Sequence, residues 1–289
     1  MTQLKNALFL AAQFLLPHHL VSRLAGLLAD STLSAVRKPL ISLFAKHFNI
    51  SLAEAQIEDP DDFGSFNDFF TRALKPEARP VDSAADTWVS PVDGEVSQFG
   101  PIENDRVIQA KKHNFSLTTL FGGDKEMARR YDGGSFMTLY LSPSDYHRIH
   151  MPKAAKLVKT TFVPGRLYSV NQLTAENVSG LFAKNERLVC EFESASGNFT
   201  MVLVGAMIVA SIETTWAGVV APVQKRIVQT DFTSIKPVAF EKGEEMGRFR
   251  LGSTVILTFQ SNQVNFEKNI ALNSKIKMGE AIGQNCNKK

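Results

Sequence analysis

The sequence predicts an α+β protein, in which N-terminal amphipathic helices precede a mainly antiparallel, barrel-sandwich-like β body. Three observations support this class. Apolar residues recur at helical spacing through the first 48 residues, short β-rich runs separated by glycines follow from about residue 85, and the charge balance changes between the two parts. The 289 residues are 44% hydrophobic and 21% charged, a globular composition that excludes the disordered, collagenous and coiled-coil classes.

The positive charge is concentrated at the N-terminus. Residues 1–50 carry five cations and one anion, a net charge of +4, although the whole chain carries only +3. Residues 51–80 are acidic by contrast. This change predicts a boundary near residue 50, between a helical region, 1–50, and a β-rich domain, 51–289. A net charge of +3 is too small to indicate binding of nucleic acid.

Three helices are expected in the first region. At about 100° per residue, residues 4–16 are apolar over most of their circumference, with the polar side chains in a narrow wedge. Residues 18–30 place their leucines on one half of the helix and His18 and His19 on the other. Residues 33–48 again combine apolar positions with basic ones.

These helices admit two interpretations. They form a helical subdomain packed on the body, or they lie in a bilayer interface with their cations toward anionic headgroups. The wide apolar faces and the local positive charge favour the membrane. A span or a cleaved signal peptide is disfavoured, because Gln13, Pro17 and the two histidines interrupt the uncharged stretch 6–22, and no small-x-small cleavage site follows.

The body is predicted to contain eight strands and few helices. The predicted strands are 95–99, 107–110, 136–141, 157–163, 188–192, 199–204, 207–213 and 254–259. Residues 125–130 are the predicted helix. The uncharged stretch 195–212 is not a membrane span, because Gly197 and Gly205 break it and β-branched residues fill it.

Several kinds of site are absent from the sequence. Cys190 and Cys286 are too few and too far apart for a disulfide framework or a cysteine-rich metal site, so a reducing compartment is expected. There is no nucleophile elbow, Walker A loop, dinucleotide fingerprint or zinc-protease motif. No metal is expected.

His147 and His150 stand out because they lie three residues apart, directly after the predicted strand 136–141. Histidine is the usual proton-transfer residue near neutral pH. The residues alone also allow two surface or hydrogen-bonding histidines. A metal pair is disfavoured because no third ligand stands out.

Two further positions complete a possible Ser-His-Asp set. Asp93 lies in a Pro-Val-Asp-Gly turn, and a buried turn carboxylate can orient an imidazole. Gly252 precedes Ser253 between two predicted strands, either as a glycine bulge or as a strained carbonyl exposed to the serine hydroxyl. Sequence alone does not bring Asp93, His150 and Ser253 together in space.

With these positions, an ordered series of motifs through the body resembles the bacterial-type phosphatidylserine decarboxylases, which are pyruvoyl-dependent enzymes. The matching stretches are 66–72, 90–94, 140–143, 145–150, 162–165, 185–187, 204–206, 242–247 and the Leu-Gly-Ser-Thr motif at 251–254. The N-terminal helices match in character more than in motif.

The resemblance implies a proenzyme that cuts itself between Gly252 and Ser253. Ser253 is then the nucleophile that attacks the Gly252 carbonyl, His150 its general base and Asp93 the group that orients His150. The products are a β chain, 1–252, and an α chain, 253–289, which stay associated. The α chain begins with a covalent pyruvoyl cofactor derived from Ser253.

The resemblance also implies the mature reaction, a step of phospholipid biosynthesis. The amine of phosphatidylserine forms a Schiff base with the pyruvoyl group, CO₂ leaves, and His147 donates the proton to Cα, yielding phosphatidylethanolamine. The expected location is the cytoplasmic face of the cell membrane, as a peripheral protein on anionic phospholipid. A homodimer is a further expectation, and nucleic acid is not an expected partner.

Two rival functions remain open at this point. A serine hydrolase could use the same Asp93, His150 and Ser253, and it predicts an intact chain with a reactive serine. A non-enzymatic barrel-sandwich binding module predicts an intact chain with no reactive group.

Overall fold

A computed structural model describes residues 2–110, 113–207, 211–221, 225–234, 237–250 and 253–286. It confirms the α+β class, with helices at the N-terminus and a mostly antiparallel sheet in the body. The helices are α1 (Thr2–Leu15), α2 (His18–Ala29), α3 (Ser34–Phe48), α4 (Phe66–Phe70), α5 (Leu117–Leu120), α6 (Lys125–Tyr131), α7 (Gln172–Asn177) and α8 (Leu181–Lys184). The three predicted N-terminal helices and the predicted helix 125–130 are confirmed.

The strands follow mainly in the second half of the chain. They are β1 (Thr87–Val89), β2 (Gly94–Pro101), β3 (Arg106–Ala110), β4 (His113–Ser116), β5 (Ser135–Leu141), β6 (Arg148–His150), β7 (Ala155–Val163), β8 (Arg187–Ser194), β9 (Gly197–Val204), β10 (Ile212–Thr214), β11 (Gly218–Val219), β12 (Val228–Asp231), β13 (Ala239–Phe240), β14 (Glu245–Phe249), β15 (Ser253–Phe259), β16 (Val264–Phe266), β17 (Lys275–Ile276) and β18 (Ala281–Asn285). Seven of the eight predicted strands are confirmed.

The eighth predicted strand, 207–213, is only partly right. Met207 lies in a turn and β10 begins at Ile212, while residues 208–210 lie outside the described part of the chain. The chain leaves the sheet after β9 and turns, so the apolar run does not continue as one strand. Apolar composition fills both the strand and the turn, and it does not mark this change of direction.

One nine-stranded antiparallel sheet organises the body. Its order is β12-β7-β8-β9-β15-β5-β2-β17, with β13 added on β7. In the described residues the end strands β12 and β17 do not pair with each other, so the sheet is open. β15 lies at its centre, paired with β9 on one side and β5 on the other, and all seven of its residues are buried.

Two hydrophobic clusters cover the two faces of this sheet. One contains Phe66, Phe69 and Phe70 of α4 together with Ile256 of β15. The other contains Trp88 of β1 and the neighbouring positions Val255 and Leu257 of β15. Successive strand residues point to opposite faces, so the alternation along β15 joins both clusters.

Helices α1 and α2 turn most of their apolar side chains away from the body and bind it through polar ones. Leu15 is 82% exposed and Leu27 is 72% exposed, whereas Gln13 and His18 are buried. The Ser169 amide donates to Gln13 Oε1 at 2.8 Å, and the His18 ring donates from Nε2 to the Gln13 carbonyl at 2.6 Å.

Helix α3 differs, because it packs apolar side chains on the body. Ile41 is fully buried, and the Phe44 ring contacts the rings of Phe66 and Phe70 in α4. Packing on the body therefore describes α3, whereas α1 and α2 leave their leucines exposed.

None of the helices within the described ranges has the length and continuous apolarity that a bilayer crossing requires.

Candidate active site

The predicted site residues meet at one edge of the large sheet, where five neighbouring strands begin or end. We call this the site edge. It is formed by the start of β8 at Arg187, the end of β9 at Val204, the start of β15 at Ser253, the end of β5 at Leu141 and the start of β2 at Gly94. Antiparallel strands alternate in direction, so residues far apart in sequence reach the same edge.

Ser253 is the first residue of β15 and pairs with Leu141 of β5. It is 0% exposed, and its hydroxyl has no hydrogen-bond partner among the described residues. A buried hydroxyl without a partner costs free energy, on the order of 1–3 kcal/mol, and such groups in native proteins call for an explanation. Gly252 and Leu251 lie outside the described residues.

Asp93 immediately precedes β2, in the predicted turn. Its carboxylate accepts hydrogen bonds from Arg79 Nε at 2.8 and 3.0 Å and from the backbone amide of Met278 at 2.8 Å. The next residue must be a glycine because β2 and β5 approach closely there. A Cβ at Gly94 would lie 2.5 Å from the Tyr140 carbonyl oxygen. The Asp93 carboxylate is therefore fixed, nearly buried and paired with a cation.

His150 ends β6, and its backbone amide donates to the Pro91 carbonyl at 2.8 Å, which brings it near Asp93. Its ring lies 2.8 Å from the Gly243 carbonyl through Nδ1 and 3.0 Å from the Tyr146 hydroxyl through Nε2. A carbonyl only accepts, so Nδ1 carries the hydrogen and Nε2 accepts from the phenol. Nε2 is thus the basic nitrogen of this ring.

Burial lowers the pKa of His150, against the hydrogen bond to Gly243 and the charges of Glu245 and Asp93, which raise it. The imidazole is therefore neutral at pH 7, the state that a general base requires. Burial also raises the pKa of the Tyr146 phenol, so Tyr146 remains a hydrogen-bond donor to His150.

His147 lies in the connection between β5 and β6, fully buried against the ring of Phe70 at a centroid distance of 4.0 Å. Its Nδ1 donates to the Asp145 carbonyl at 2.8 Å, and its Nε2 has no partner among the described residues. Burial, with a smaller contribution from the nearby Arg72 cation, lowers the pKa of His147 to about 3, although the bond to Asp145 opposes this change. The His147 imidazole is therefore neutral, and no described group binds its Nε2.

The four predicted residues lie on segments around the site edge, and no described hydrogen bond joins one of them to another. Asp93 pairs with Arg79, His150 faces Gly243 and Tyr146, and Ser253 has no described partner. The segment with His147 and His150 is hydrogen-bonded to β14, the strand that precedes Ser253 in the chain. β6 pairs with β14, and the Phe249 amide donates to the His147 carbonyl at 3.0 Å.

Sequence reasoning missed three side chains of this site. Arg79 holds Asp93, Tyr146 caps His150, and Arg72 donates to the Ser144 carbonyl at 3.0 Å in the turn before His147. Tyr146 and Arg72 lie in stretches that the motif series covers, but no local pattern assigns them a partner. Arg79 lies outside every stretch, so only the folded contact identifies it.

Comparison with known proteins places this geometry in a family. A family model described as "Phosphatidylserine decarboxylase" matches residues 66–284, and a second one described as "PSD" matches residues 8–49. These two matches cover the β body and the N-terminal helices respectively.

Curated proteins from several bacteria align over nearly the full length. The protein of Azotobacter vinelandii is 54% identical over 283 residues, covering 97% of this chain and 99% of its own. That of Bordetella avium is 50% identical over 284 residues, covering 98% and 97%. That of Pseudomonas fluorescens is 50% identical over 282 residues, covering 97% and 98%. All three bear the name phosphatidylserine decarboxylase proenzyme. The sequence motifs, the family model over residues 66–284 and these alignments agree. The chain therefore belongs to the phosphatidylserine decarboxylase family.

Proposed function

We propose that this chain is a phosphatidylserine decarboxylase proenzyme, which cuts itself between Gly252 and Ser253 and then converts phosphatidylserine into phosphatidylethanolamine and CO₂. The observation that carries the proposal is the Ser253 hydroxyl, buried and without a described partner at the start of a central strand. A nucleophile that must attack the preceding peptide bond gains from being fixed beside it and bound to nothing else. Well-oriented neighbouring groups react with effective concentrations on the order of 10⁵ M or more.

In this proposal His150 takes the proton of the Ser253 hydroxyl. Its neutral ring and its Nδ1–H bond to Gly243 leave Nε2 as the basic atom. To act on Ser253, Nε2 exchanges the Tyr146 hydroxyl for the serine hydroxyl. Asp93 stabilises the imidazolium through its charge, from a position that Arg79 and the Met278 amide fix.

Ser253 also fits its further conversion into the covalent pyruvoyl group. No described hydrogen bond to its hydroxyl is lost when that oxygen leaves, and the pairing of β15 with β9 and β5 does not use this hydroxyl. The pyruvoyl group supplies an electron-accepting carbonyl for the pair of electrons that CO₂ leaves behind.

His147 is proposed to donate the proton that Cα receives after CO₂ leaves. The empty site keeps this ring neutral, but the entering phosphatidylserine carries a phosphate and a carboxylate, and nearby negative charge raises the pKa of an imidazole. The reaction consumes one proton overall, which fits an imidazole that is charged from solvent when the anionic substrate binds. Nε2 is the atom available for this transfer, since Asp145 occupies Nδ1.

One measurement separates this proposal from its rivals. The purified full-length chain is analysed by denaturing gel and intact mass, and CO₂ release from phosphatidylserine is measured on the same sample. We expect fragments 1–252 and 253–289 together with CO₂ release. A serine hydrolase or a binding module leaves a chain of 289 residues, and an intact chain that still releases CO₂ contradicts the pyruvoyl mechanism.

The two fragments are expected to stay together after the cut. The α fragment contributes β15 between β9 and β5, β18 beside β1, and the Met278 amide bound to Asp93. None of these contacts depends on the cleaved bond. Size-exclusion chromatography should elute both fragments in one peak without denaturant, and 6 M guanidinium should separate them. Separation in native buffer would contradict this.

We further propose that α1, α2 and α3 attach the protein peripherally to anionic phospholipid at the cytoplasmic face of the cell membrane. The support is the orientation of α1 and α2, whose leucines are exposed while polar residues bind the body, together with the exposed Leu43 of α3. Exposed apolar area this large favours insertion into a lipid interface, and the net charge of +4 in residues 1–50 favours anionic headgroups.

Replacing two exposed leucines should release the protein from vesicles without affecting its fold. The double variant Leu15→Gln, Leu27→Gln removes apolar side chains that contact little in the protein, and burial of a leucine contributes about 1.5–3 kcal/mol. Binding to phosphatidylglycerol vesicles should weaken roughly 10²-fold in a sedimentation assay.

The matched control is Leu272→Gln, a leucine of the body that is 50% exposed. It should bind vesicles as the wild type does. Wild-type binding should fall with added salt but persist, because the apolar contribution is not screened. If the double variant sediments as fully as the control, the helices are structural and the membrane proposal is wrong.

A further inference from the structure

A second buried carboxyl group lies at the site edge, and no motif assigned it a role. Glu186 immediately precedes β8 and is only 3% exposed, yet none of the described residues forms a hydrogen bond or an ion pair with its carboxyl group. Burial raises the pKa of Glu186 to about 7, and burial is the only cause. An uncompensated buried carboxyl is costly, so such a group in a native protein points to a function or a ligand.

The strand register places Glu186 in one row with Ser253. Arg187 pairs with Val204, and Val204 pairs on its other side with Thr254. The Gly205 amide donates to the Glu186 carbonyl at 2.9 Å, which extends the first of these pairings by one residue. Moving one residue along from the pairing of Val204 with Thr254 places Gly205 opposite Ser253. Gly205 therefore lies between Glu186 and Ser253 in the sheet. Adjacent strands lie about 4.8 Å apart, so the two Cα atoms are roughly 10 Å apart.

Side chains of directly opposed residues point to the same face of a sheet. The Glu186 carboxyl and the Ser253 hydroxyl therefore flank Gly205 on one face, and Gly205 itself contributes no side chain. A Cβ at Gly205 would lie 3.4 Å from the Glu186 carbonyl oxygen and 3.5 Å from Leu167 Cδ2, which are nearly ordinary contacts. Backbone packing does not force a glycine here, and Gly205 places no side chain between the two functional groups.

No described cation neutralises this carboxyl group. The charged or titratable side chains of the segments around it are Arg166, Lys184, Arg187, His18 and His19. Arg187 donates instead to the carbonyls of Leu120 and Thr119 at 2.6 Å each. His18 and His19 bind backbone atoms of the loop after β7, at Leu167 and Gly165. A cationic group of a ligand could therefore pair with this carboxylate without displacing a described cation.

We propose that Glu186 binds the α-ammonium group of the substrate and takes the proton that this group must lose before it can react with the carbonyl at position 253. This inference rests on the proposed function. The N–H bond of the ammonium breaks, its electron pair becomes the nucleophilic lone pair, and the proton goes to a Glu186 oxygen. The same proton returns to the amine of the product as it leaves. The proton that Cα gains is a different one, donated by His147.

The first test compares Glu186→Gln with Glu193→Gln, an exposed glutamate at the other end of β8. Both variants should mature into two fragments on a gel. At pH 7, kcat/KM of Glu186→Gln should fall 10²–10⁴-fold, the usual loss of a positioned base, whereas the control should match the wild type.

The pH profile gives the second readout. The active form of Glu186 is the carboxylate, so wild-type kcat/KM should rise with pH through about 7. Glu186→Gln should lack this rise. Its activity should instead increase at more alkaline pH, where the free amine forms without a base. Glu186→Asp, a carboxylate one methylene shorter, should keep a rise with pH at reduced activity.

A third readout does not depend on turnover. In the full-length Ser253→Ala chain at pH 6.5, infrared spectroscopy should show a protonated carboxyl band that short-chain phosphatidylserine removes. Phosphatidylglycerol, which has no ammonium group, should not change this band. The double variant Ser253→Ala, Glu186→Gln should lack the band altogether.

Glu186→Gln that decarboxylates at the wild-type rate across the pH range overturns the proposal. If Glu186→Gln does not mature, the proposal is tested by the pH profile of Glu186→Asp and by the infrared titration. A carboxyl band that does not respond to phosphatidylserine overturns the proposal. Failure of the proposed function itself is seen separately, as a wild-type chain that does not cleave or release CO₂.

Discussion

Ser253→Ala is expected to remain a single chain of 289 residues and to show no decarboxylase activity. The substitution removes the hydroxyl that attacks the Gly252 carbonyl, and with it the atoms from which the pyruvoyl group forms. Since the hydroxyl has no described partner, the fold loses no hydrogen bond, and the thermal unfolding temperature should not fall. Denaturing gel, intact mass and CO₂ release measure the three effects.

The control is Ser274→Ala, another serine of the α fragment, whose hydroxyl donates only to the Ala271 carbonyl at 2.7 Å. This variant should cleave and decarboxylate normally. A Ser253→Ala chain that stays whole but still releases CO₂ would remove position 253 from the mechanism. A Ser253→Ala chain that is cut at the same place would show that another group attacks.

The second large effect is expected from the two histidines, which should fail at different stages. His150→Ala should stay uncut, because the Ser253 hydroxyl then lacks its base. His147→Ala should mature and then turn over 10²–10⁴-fold more slowly, about 3–5 kcal/mol of lost transition-state stabilisation, because Cα lacks its proton donor. Fragment formation and CO₂ release are followed separately for each variant.

His113→Ala is the matched control, since this partly exposed ring only contacts the Glu176 carbonyl at 3.0 Å. It should behave as the wild type in both assays. The roles are exchanged if His147→Ala stays whole while His150→Ala is cut normally. If both variants cleave at the wild-type rate, neither histidine is the base for Ser253.

The pH dependence of maturation adds a constraint on His150. Its base form is the neutral ring, and burial lowers the pKa of His150 below the ordinary value of 6.5. Cleavage, followed by pulse-chase in a cell-free translation mixture, should therefore be constant above about pH 6.5 and slow only in more acidic buffer. A rate that still rises between pH 7 and 8 would point to a different base.

Asp93→Asn should also block maturation, and the structure changes the reason expected. The Asp93 carboxylate does not hold His150 by a hydrogen bond in the described residues. It pairs with Arg79 and acts on His150 through its charge. Loss of that charge leaves the Arg79 cation paired only with Glu54, near a developing imidazolium, which opposes proton transfer. Arg79→Leu with Asp93→Asn should then recover more cleavage than Asp93→Asn alone.

The fold could be predicted from the sequence wherever a local pattern carried it. Helical spacing located α1, α2 and α3, and β-rich runs located seven strands, because these patterns depend on neighbours only a few residues away. The pattern was only partly right at 207–213, because Met207 lies in a turn and β10 begins at Ile212. Apolar composition alone does not distinguish a strand from a turn.

The candidate site was predictable only in part, for a similar reason. The sequence by itself determined the motif that contains Ser253, the spacing of His147 and His150, and the turn at Asp93. Only the tertiary structure decided that the apolar faces of α1 and α2 point outward, that Tyr146 occupies the basic nitrogen of His150, and that Glu186 shares a row with Ser253. These facts depend on strand register, on side-chain hydrogen bonds, or on the choice between two faces of a helix. Local composition determines which residues can form such contacts, but packing of the whole chain decides which ones do.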